Sequence, residues 1–428
     1  MNGFWPPTAP SSPRYLLRNL RIPPDLCGLK PTANGWCQAD ILINGHHIET
    51  VSQAGEITAE NTACVDADNS ILISAPVDCH THLDKAHVAA FQDFPAGDLL
   101  DAIDAMAAQK KTWTRESLTR RVEFSLRSAY AFGLRALRSH IDYDDAPEFV
   151  WQVLDDAAQR WQGRITLQLS PLINISALAE PQYRSAYYQR AQQYRRIGLF
   201  LYDQPDMESL LTPVFQHAKA QDLDIDLHVD EGMDPALDGL DTVARVTLAT
   251  GFNGKVLCSH CVALNSYDTA RRERVIVHAR KAGLDFASLP VTNLYLQGRS
   301  SNGIPQARGM MPVRALKEAG AVVSMGADNV QDGFCAFGDF DPMAVLNIGA
   351  QVGHLDNPAR DWAAMITCNP ARTMGLEWDG VIRDGAPADL VLFAARTSGE
   401  LSSRITPERI VIREGNWLVL KAPDFREL

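Results

Sequence analysis

Eight short apolar segments recur through the middle of the chain, and helix-period stretches lie between most of them. They run from Ile73 to His80, Leu134 to Asp142, Ile165 to Leu172, Ile197 to Asp203, Ile225 to Glu231, Lys255 to His260, Leu284 to Thr292 and Ala321 to Asp328. Eight strands alternating with helices are the count of a (β/α)8 barrel of TIM type, an α/β fold. Several intervening helices carry their own punctuation. Thr114 precedes a helical run through Leu118, Val122, Phe124, Leu126 and Ala129 that stops at Gly133, and Ala315 to Ala319 stops at Gly320 in the same way. Both ends of the chain read differently. Tyr15 to Ile22 and Ala39 to Ile48, with the hairpin signal Asn44-Gly45, are short strands and turns, as are Gly385 to Phe393 and Arg409 to Val419. The expected organisation is therefore a barrel over 76–377 and a small β-sandwich domain built from the N- and C-terminal segments, 1–75 and 378–428.

Barrel enzymes place their chemistry at the C-terminal ends of the strands. Those ends carry His80 and His82, His140 and Asp142, Asn174, Asp203, His228 and Glu231, His260 and Asp328, which takes in five of the 11 histidines. His80 and His82, two apart on a strand, project from one face and offer two imidazoles side by side. A single-metal hydrolytic site needs several ligands, an open position for water and a nearby acid/base. His80, His82, His228 and Asp328 supply three nitrogens and one oxygen. Glu231, three residues beyond His228, is placed to take a proton from the activated water and pass it to a leaving amine. His260 is a candidate to polarise the substrate or hydrogen-bond the nucleophile. Structural alternatives stand beside each role: His140 as a hydrogen-bonding partner behind the ligands, His228 and His260 as satisfied core residues, Asp328 as a helix N-cap. The fourth strand has no lysine of the kind that bridges a binuclear site, which favours one metal.

Composition narrows the partners. A formal net charge of −12 argues against a nucleic-acid partner. The basic clusters Tyr194 to Ile197 and Ala270 to Arg274 read as solvated helix faces. The opening residues Met1 to Pro7 lack a leader pattern and no uncharged apolar run is long enough for a bilayer, so the expectation is a cytoplasmic enzyme with no membrane partner. The 8 cysteines fit a reducing compartment; Cys258-Ser259-His260-Cys261 is the one C-x-x-C and has no second pair to complete a zinc knuckle.

The barrel with flanking sandwich, the His80-Thr81-His82 strand, His228-Val229-Asp230-Glu231, Ser259-His260 and Gly326-Ala327-Asp328 resemble the amidohydrolase superfamily, in its cytosine deaminase-like branch. Arg138-Ser139-His140-Ile141-Asp142 is similar to that branch's Arg-Thr-His-Val-Asp segment, and Asn293 to Arg299 to its Leu-Gln-Gly-Arg loop. The resemblance implies that His80, His82, His228 and Asp328 hold one divalent metal ion, zinc or iron, that Glu231 shuttles the proton, and that His260 assists a metal-bound hydroxide. The implied reaction is attack on an amino-bearing ring carbon with release of ammonia. Departures fall on substrate-binding positions. Asn174 stands where cytosine deaminases carry a glutamine, and Asn329 follows Asp328 where they carry a second aspartate, turning an acceptor into a donor/acceptor. Lys85 replaces a threonine; it is a candidate contact for an anionic or carbonyl-rich substrate, or else a salt-bridge partner of Asp84 or Asp142. Gln297 completes the substrate-binding candidates. The loop Asp332 to Gly338 is expected either to close over the pocket with an aromatic ring or to pack as an ordinary loop.

The leading expectation is thus a metal-dependent hydrolytic deaminase of a nitrogen heterocycle of cytosine, isocytosine, triazine or pterin type. The alternatives are hydrolysis of an N-alkylamine or cyclic amide at the same site, or a non-catalytic metal-binding barrel. A small heterocyclic substrate is the expected partner, and homo-oligomerisation is left open because no element in the sequence points to it.

Overall fold

The computed structural model describes residues 5–58, 60–90, 97–144, 146–300, 302–305 and 307–428. Residues 1–4, where a leader would begin, lie outside them. Among the described residues no helix is long and apolar enough to cross a membrane. They divide into two compact units, one drawn from Met1–Asp78, Arg127–Ala136 and Asp341–Asp424, the other from Cys79–Leu126, Leu137–Phe340 and Phe425–Leu428.

The first unit holds two four-stranded sheets. Strands β1 (Arg14–Ile22), β2 (Cys37–Asn44), β3 (His47–Gln53) and β4 (Ala63–Asp66) are arranged in the order β3-β2-β1-β4. The β2–β3 turn is the expected Asn44-Gly45 hairpin, with Gly45 at the positive φ that such a turn requires. In β1 the register with β2 shifts between Leu17 and Leu20, where Asn19 takes a left-handed conformation and its N–H donates to Asp40. This bulge absorbs the residues that break the inward–outward alternation. The second sheet combines β5 (Leu72–Ser74) from the N-terminal segment with three strands from the far end of the chain.

The barrel strands are β6 (Val77–Thr81), β7 (Ala136–Asp142), β8 (Thr166–Asn174), β9 (Arg196–Leu201), β10 (Asp224–Val229), β11 (Val256–His260), β12 (Asp285–Ser288) and β13 (Val323–Met325). They form one sheet in sequential order, and the strand pairs β8–β9 through β12–β13 are parallel. A parallel bridge between Thr81 and Asp328, with the Asp328 N–H donating to the His80 carbonyl at 2.9 Å, links the two ends of that sheet. The chain therefore has the expected (β/α)8 barrel. Strands β14 (Leu390–Phe393), β15 (Arg409–Arg413) and β16 (Asn416–Leu418) complete the order β16-β15-β14-β5. Tyr15 of β1 donates its hydroxyl to the Gly415 carbonyl at 2.8 Å, joining the two small sheets.

Two expected strands differ. The segment Ile73 to His80 is not one strand: Pro76, which has no N–H for a ladder, separates β5 from β6. The segment Leu284 to Thr292 ends as a strand at Ser288, because Pro290 opens a helix, Pro290–Leu296, at a position where a missing N–H costs nothing.

Candidate metal centre and active-site cavity

The turns that follow β6, β10 and β11, beside the candidate site, are held by hydrogen bonds. Beyond β6, Thr81 donates its hydroxyl to the Arg138 carbonyl, Ser139 accepts the Leu83 N–H at 2.9 Å, and buried Arg121 donates to the carbonyls of Asp84 and Ala86. At the end of β10, Asp230 accepts from Gly239 and Leu240 at 2.9 Å, so its carboxylate caps the helix Gly239–Thr250 and pins the turn that presents Glu231. Its carbonyl accepts from Val262 and Ala263, tying the same turn to the one after His260. Asp230, His260 and Asp328 all adopt the left-handed backbone region. Strained non-glycine residues of this kind cluster where a fold holds functional groups in place.

The geometry brings the expected ligands together. His82 Nε2 is 3.2 Å from His228 Nε2, and Asp328 Oδ1 lies 3.2 Å from His82 Nε2 and 3.4 Å from His80 Nε2. Candidate ligand atoms of His80, His82, His140 and His228 all lie within 4.8 Å of one another, as do those of His80, His260 and Asp328. All six residues are buried. Burial pushes His80 and His82 down to about 3, with His140 adding to the effect on the first and Lys85 on the second. His228 is carried well below its usual value by burial and the neighbouring imidazoles, and His260 falls to about 4. Burial works against the Asp328 carboxylate, but its contacts with His80 and His82 outweigh it and hold the carboxyl well below the usual range. Neutral imidazoles converging on one carboxylate at mutual distances this short suit a divalent cation, which takes the lone pairs that would otherwise face each other.

Glu231 lies beside this cluster, its Oε1 3.3 Å from His260 Nδ1. Burial, reinforced by the charge of Asp328, raises its carboxyl well above the usual range. Asn293 reaches both groups, its Nδ2 lying 3.4 Å from Glu231 Oε1 and 3.2 Å from His260 Nδ1.

A cavity of about 190 Å3 opens onto the cluster. His82, His228, Glu231, His260 and Asp328 line it, together with Lys85, Asn174 and Asn329. Asn174 Oδ1 also accepts the Ser176 N–H at 3.0 Å, and Asn329 Nδ2 donates to Asp332 at 2.6 Å. Gln297 takes a different place: its Nε2 donates to the Glu231 carbonyl at 3.1 Å, and it is absent from the cavity lining among the described residues. Asp203 is exposed past the end of β9. Lys85 forms the salt bridge with Asp142, 2.9 Å to each oxygen, while still facing the cavity.

Sequence reasoning did not find the rest of the lining. The helix Leu99–Lys110, between β6 and β7, supplies Leu99, Ile103, Met106 and Lys110, and Lys110 Nζ is 2.5 Å from Asp142. Phe200 and Phe334 complete this apolar side, the latter from the loop Asp332 to Gly338. The helix's apolar spacing of Leu99, Ile103 and Met106 was the available signal, but nothing local says that this face meets a cavity.

A parallel barrel whose strand ends gather neutral imidazoles, one carboxylate and a buried glutamate defines the class of metal-dependent barrel hydrolases. The chain belongs to the amidohydrolase family, whose match spans residues 152–415. It is 33% identical to a pterin deaminase of Rhizobium rhizogenes, with 98% of this chain and 97% of that protein covered. It is 25% identical to an N-isopropylammelide isopropyl amidohydrolase of Pseudomonas sp., covering 82% of this chain and 86% of the other. Among solved structures, 5-methylcytosine deaminase from Klebsiella pneumoniae, liganded with phosphonocytosine, superposes with a TM-score of 0.82 at 22% identity over 95% of this chain and 98% of that one. The family that the sequence resembles is thus the one the chain belongs to, and the chain is an enzyme of a family that uses a divalent metal.

Proposed function

We propose that this enzyme removes the exocyclic amino group from a ring carbon of an amino-oxo nitrogen heterocycle, with a pterin-type ring first among the candidates and cytosine, isocytosine and triazine rings behind it. The observation that carries the reading is buried Glu231 beside His260 and the histidine–aspartate cluster, on a cavity lined by both polar and apolar side chains. The near full-length similarity to a pterin deaminase supports the order of candidates.

In this reading His80, His82, His228 and Asp328 hold a single divalent ion, zinc or iron. When bound, such an ion supplies Lewis acidity that makes a water molecule acidic near neutral pH. Glu231, whose pKa burial raises but which a divalent charge beside it would return to its ionised form, accepts a proton of that water as the oxygen adds to the ring carbon. It passes that proton to the adjacent ring nitrogen, and the proton of the added hydroxyl then goes to the amine, so that the carbon–nitrogen bond breaks, ammonia leaves, and an oxo group and a ring N–H remain. His260, 3.3 Å from Glu231, hydrogen-bonds the reacting oxygen, and Asn293 holds both residues in register. Asn174 and Asn329 offer amide groups to the polar edge of the ring. Lys85 donates to a ring carbonyl, while Phe200, Phe334 and Met106 cover the ring faces. Gln297 acts from behind, through the Glu231 carbonyl.

A second reading keeps the same residues and changes the leaving group to an alkylamine. The similarity to an N-isopropylammelide isopropyl amidohydrolase favours it, and the aliphatic wall of Leu99, Ile103 and Met106 would receive the alkyl group. Both readings are tested by incubating metal-loaded protein with a panel of pterins, pyrimidines and alkylamino-triazines, following ammonia and identifying products by mass. Ammonia from a pterin supports the first reading and an alkylamine product the second; no turnover of any member overturns both.

A further inference from the structure

The interior of a barrel is ordinarily filled by bulky aliphatic side chains. Next to the histidine cluster this chain places a charged column instead. Arg138 and His140 stand two residues apart on β7, and Asp226 and His228 two apart on β10, so each pair shares a strand face. All four are buried. Asp226 Oδ2 accepts from Arg138 Nη1 at 2.8 Å, and its Oδ1 lies 3.1 Å from His140 Nε2. Arg138 also donates through Nε and Nη2 to Gln168 Oε1, at 3.1 and 2.9 Å. At the other end of the column the His140 ring centre is 4.2 Å from that of His80 and 5.0 Å from that of His228.

A carboxylate buried between a guanidinium and an imidazole seldom stabilises a fold more than an apolar filling of the same volume. The column's place against two candidate ligands gives it a different purpose. Groups that orient metal ligands from behind commonly change metal affinity by about 10–100-fold when removed. We infer that the Arg138–Asp226–His140 column is a positioning device for the metal centre, in which Asp226 fixes His140 and His140 fixes the rings of His80 and His228. His140 and Asp226 act here through the ligands rather than as ligands. The inference rests on reading His80, His82, His228 and Asp328 as the metal site.

The test is metal retention by the intact holoprotein. His140→Phe keeps a ring and removes both nitrogens; His140→Gln keeps a donor for Asp226. The Phe variant is expected to lose its ion to excess chelator about 10–100-fold faster than the wild type, with the Gln variant between them. The visible absorption of the cobalt-substituted Phe variant should also shift, which a change in packing distant from the ligands would not cause. Should the Phe variant fail to fold, the Gln variant carries the same comparison. A folded variant with wild-type release and a wild-type cobalt spectrum overturns the inference while leaving the metal site intact. A wild-type protein that retains no ion overturns the metal reading itself.

Discussion

Asp142 stands between two ammonium groups, and replacing it by asparagine isolates their charge while keeping its shape. Its oxygens are 2.9 Å from Lys85 Nζ and one is 2.5 Å from Lys110 Nζ; the two lysine side chains are only 4% and 5% exposed. Burial opposes the Lys85 ammonium, but Asp142 and Asp84 together raise its pKa above the ordinary lysine value. Removing one partner of a buried pair costs about 3–5 kcal/mol. Asp142 itself is 24% exposed and Asp84 remains close to Lys85, so the lower end applies, about 3 kcal/mol. Urea unfolding at neutral pH, followed by tryptophan fluorescence, should show that loss for Asp142→Asn. The double variant Asp142→Asn with Lys110→Met removes one of the two uncompensated charges and should recover about half of it, because the two sites share one network. An Asp142→Asn protein within about 0.5 kcal/mol of wild type, the usual range for an uninvolved surface site, would refute the reasoning, as would a double variant no more stable than the single one.

Three further outcomes follow from the same geometry. A Cβ at Gly198 would lie 2.3 Å from the Pro171 carbonyl oxygen, so Gly198→Ala should lower the unfolding free energy by about 1–3 kcal/mol in the same assay. His87 is buried against Phe124, Phe340 and Phe425, and burial lowers its pKa from 6.5 to about 4. The unfolded chain therefore takes up the proton first: His87 costs nothing above pH 6.5, and stability falls as the pH drops towards 4, by about 3 kcal/mol in full. Comparing wild type with His87→Asn at pH 7 and pH 4.5 should show the smaller acid loss in the variant. Met106→Ala shortens the apolar wall and should raise KM for a turned-over ring by about 10-fold with a smaller change in kcat, as expected for lost uniform binding.

The eight-strand plan was legible because each barrel strand is short, apolar and separated by helical periodicity, and because histidines mark several strand ends. The break at Pro76 and the helix that opens at Pro290 were also written in the sequence, as prolines inside apolar runs. The gathering of His80, His82, His228, His260, Glu231 and Asp328 at one end followed from strand position alone. What stayed hidden depends on tertiary placement. Lys110 meets Asp142 across 32 residues, and no local pattern marks that pairing. Asn293 lies four residues before Gln297 in the same motif, yet it is the one whose side chain reaches the Glu231 carboxylate and His260, while Gln297 reaches only the Glu231 carbonyl. Asp226 shares a strand face with His228, but the sequence reading did not single it out, because its partners come from β7.

The central claim is that Glu231 carries the proton in a deamination supported by a metal held elsewhere in the site. Glu231→Gln removes that proton carrier and leaves His80, His82, His228 and Asp328 in place. The decisive measurement is ammonia release from a pterin by wild type and Glu231→Gln at equal, independently measured metal content. The account predicts unchanged metal content and turnover reduced by about 10²–10⁴-fold; turnover near the wild-type rate in the metal-loaded variant would contradict it.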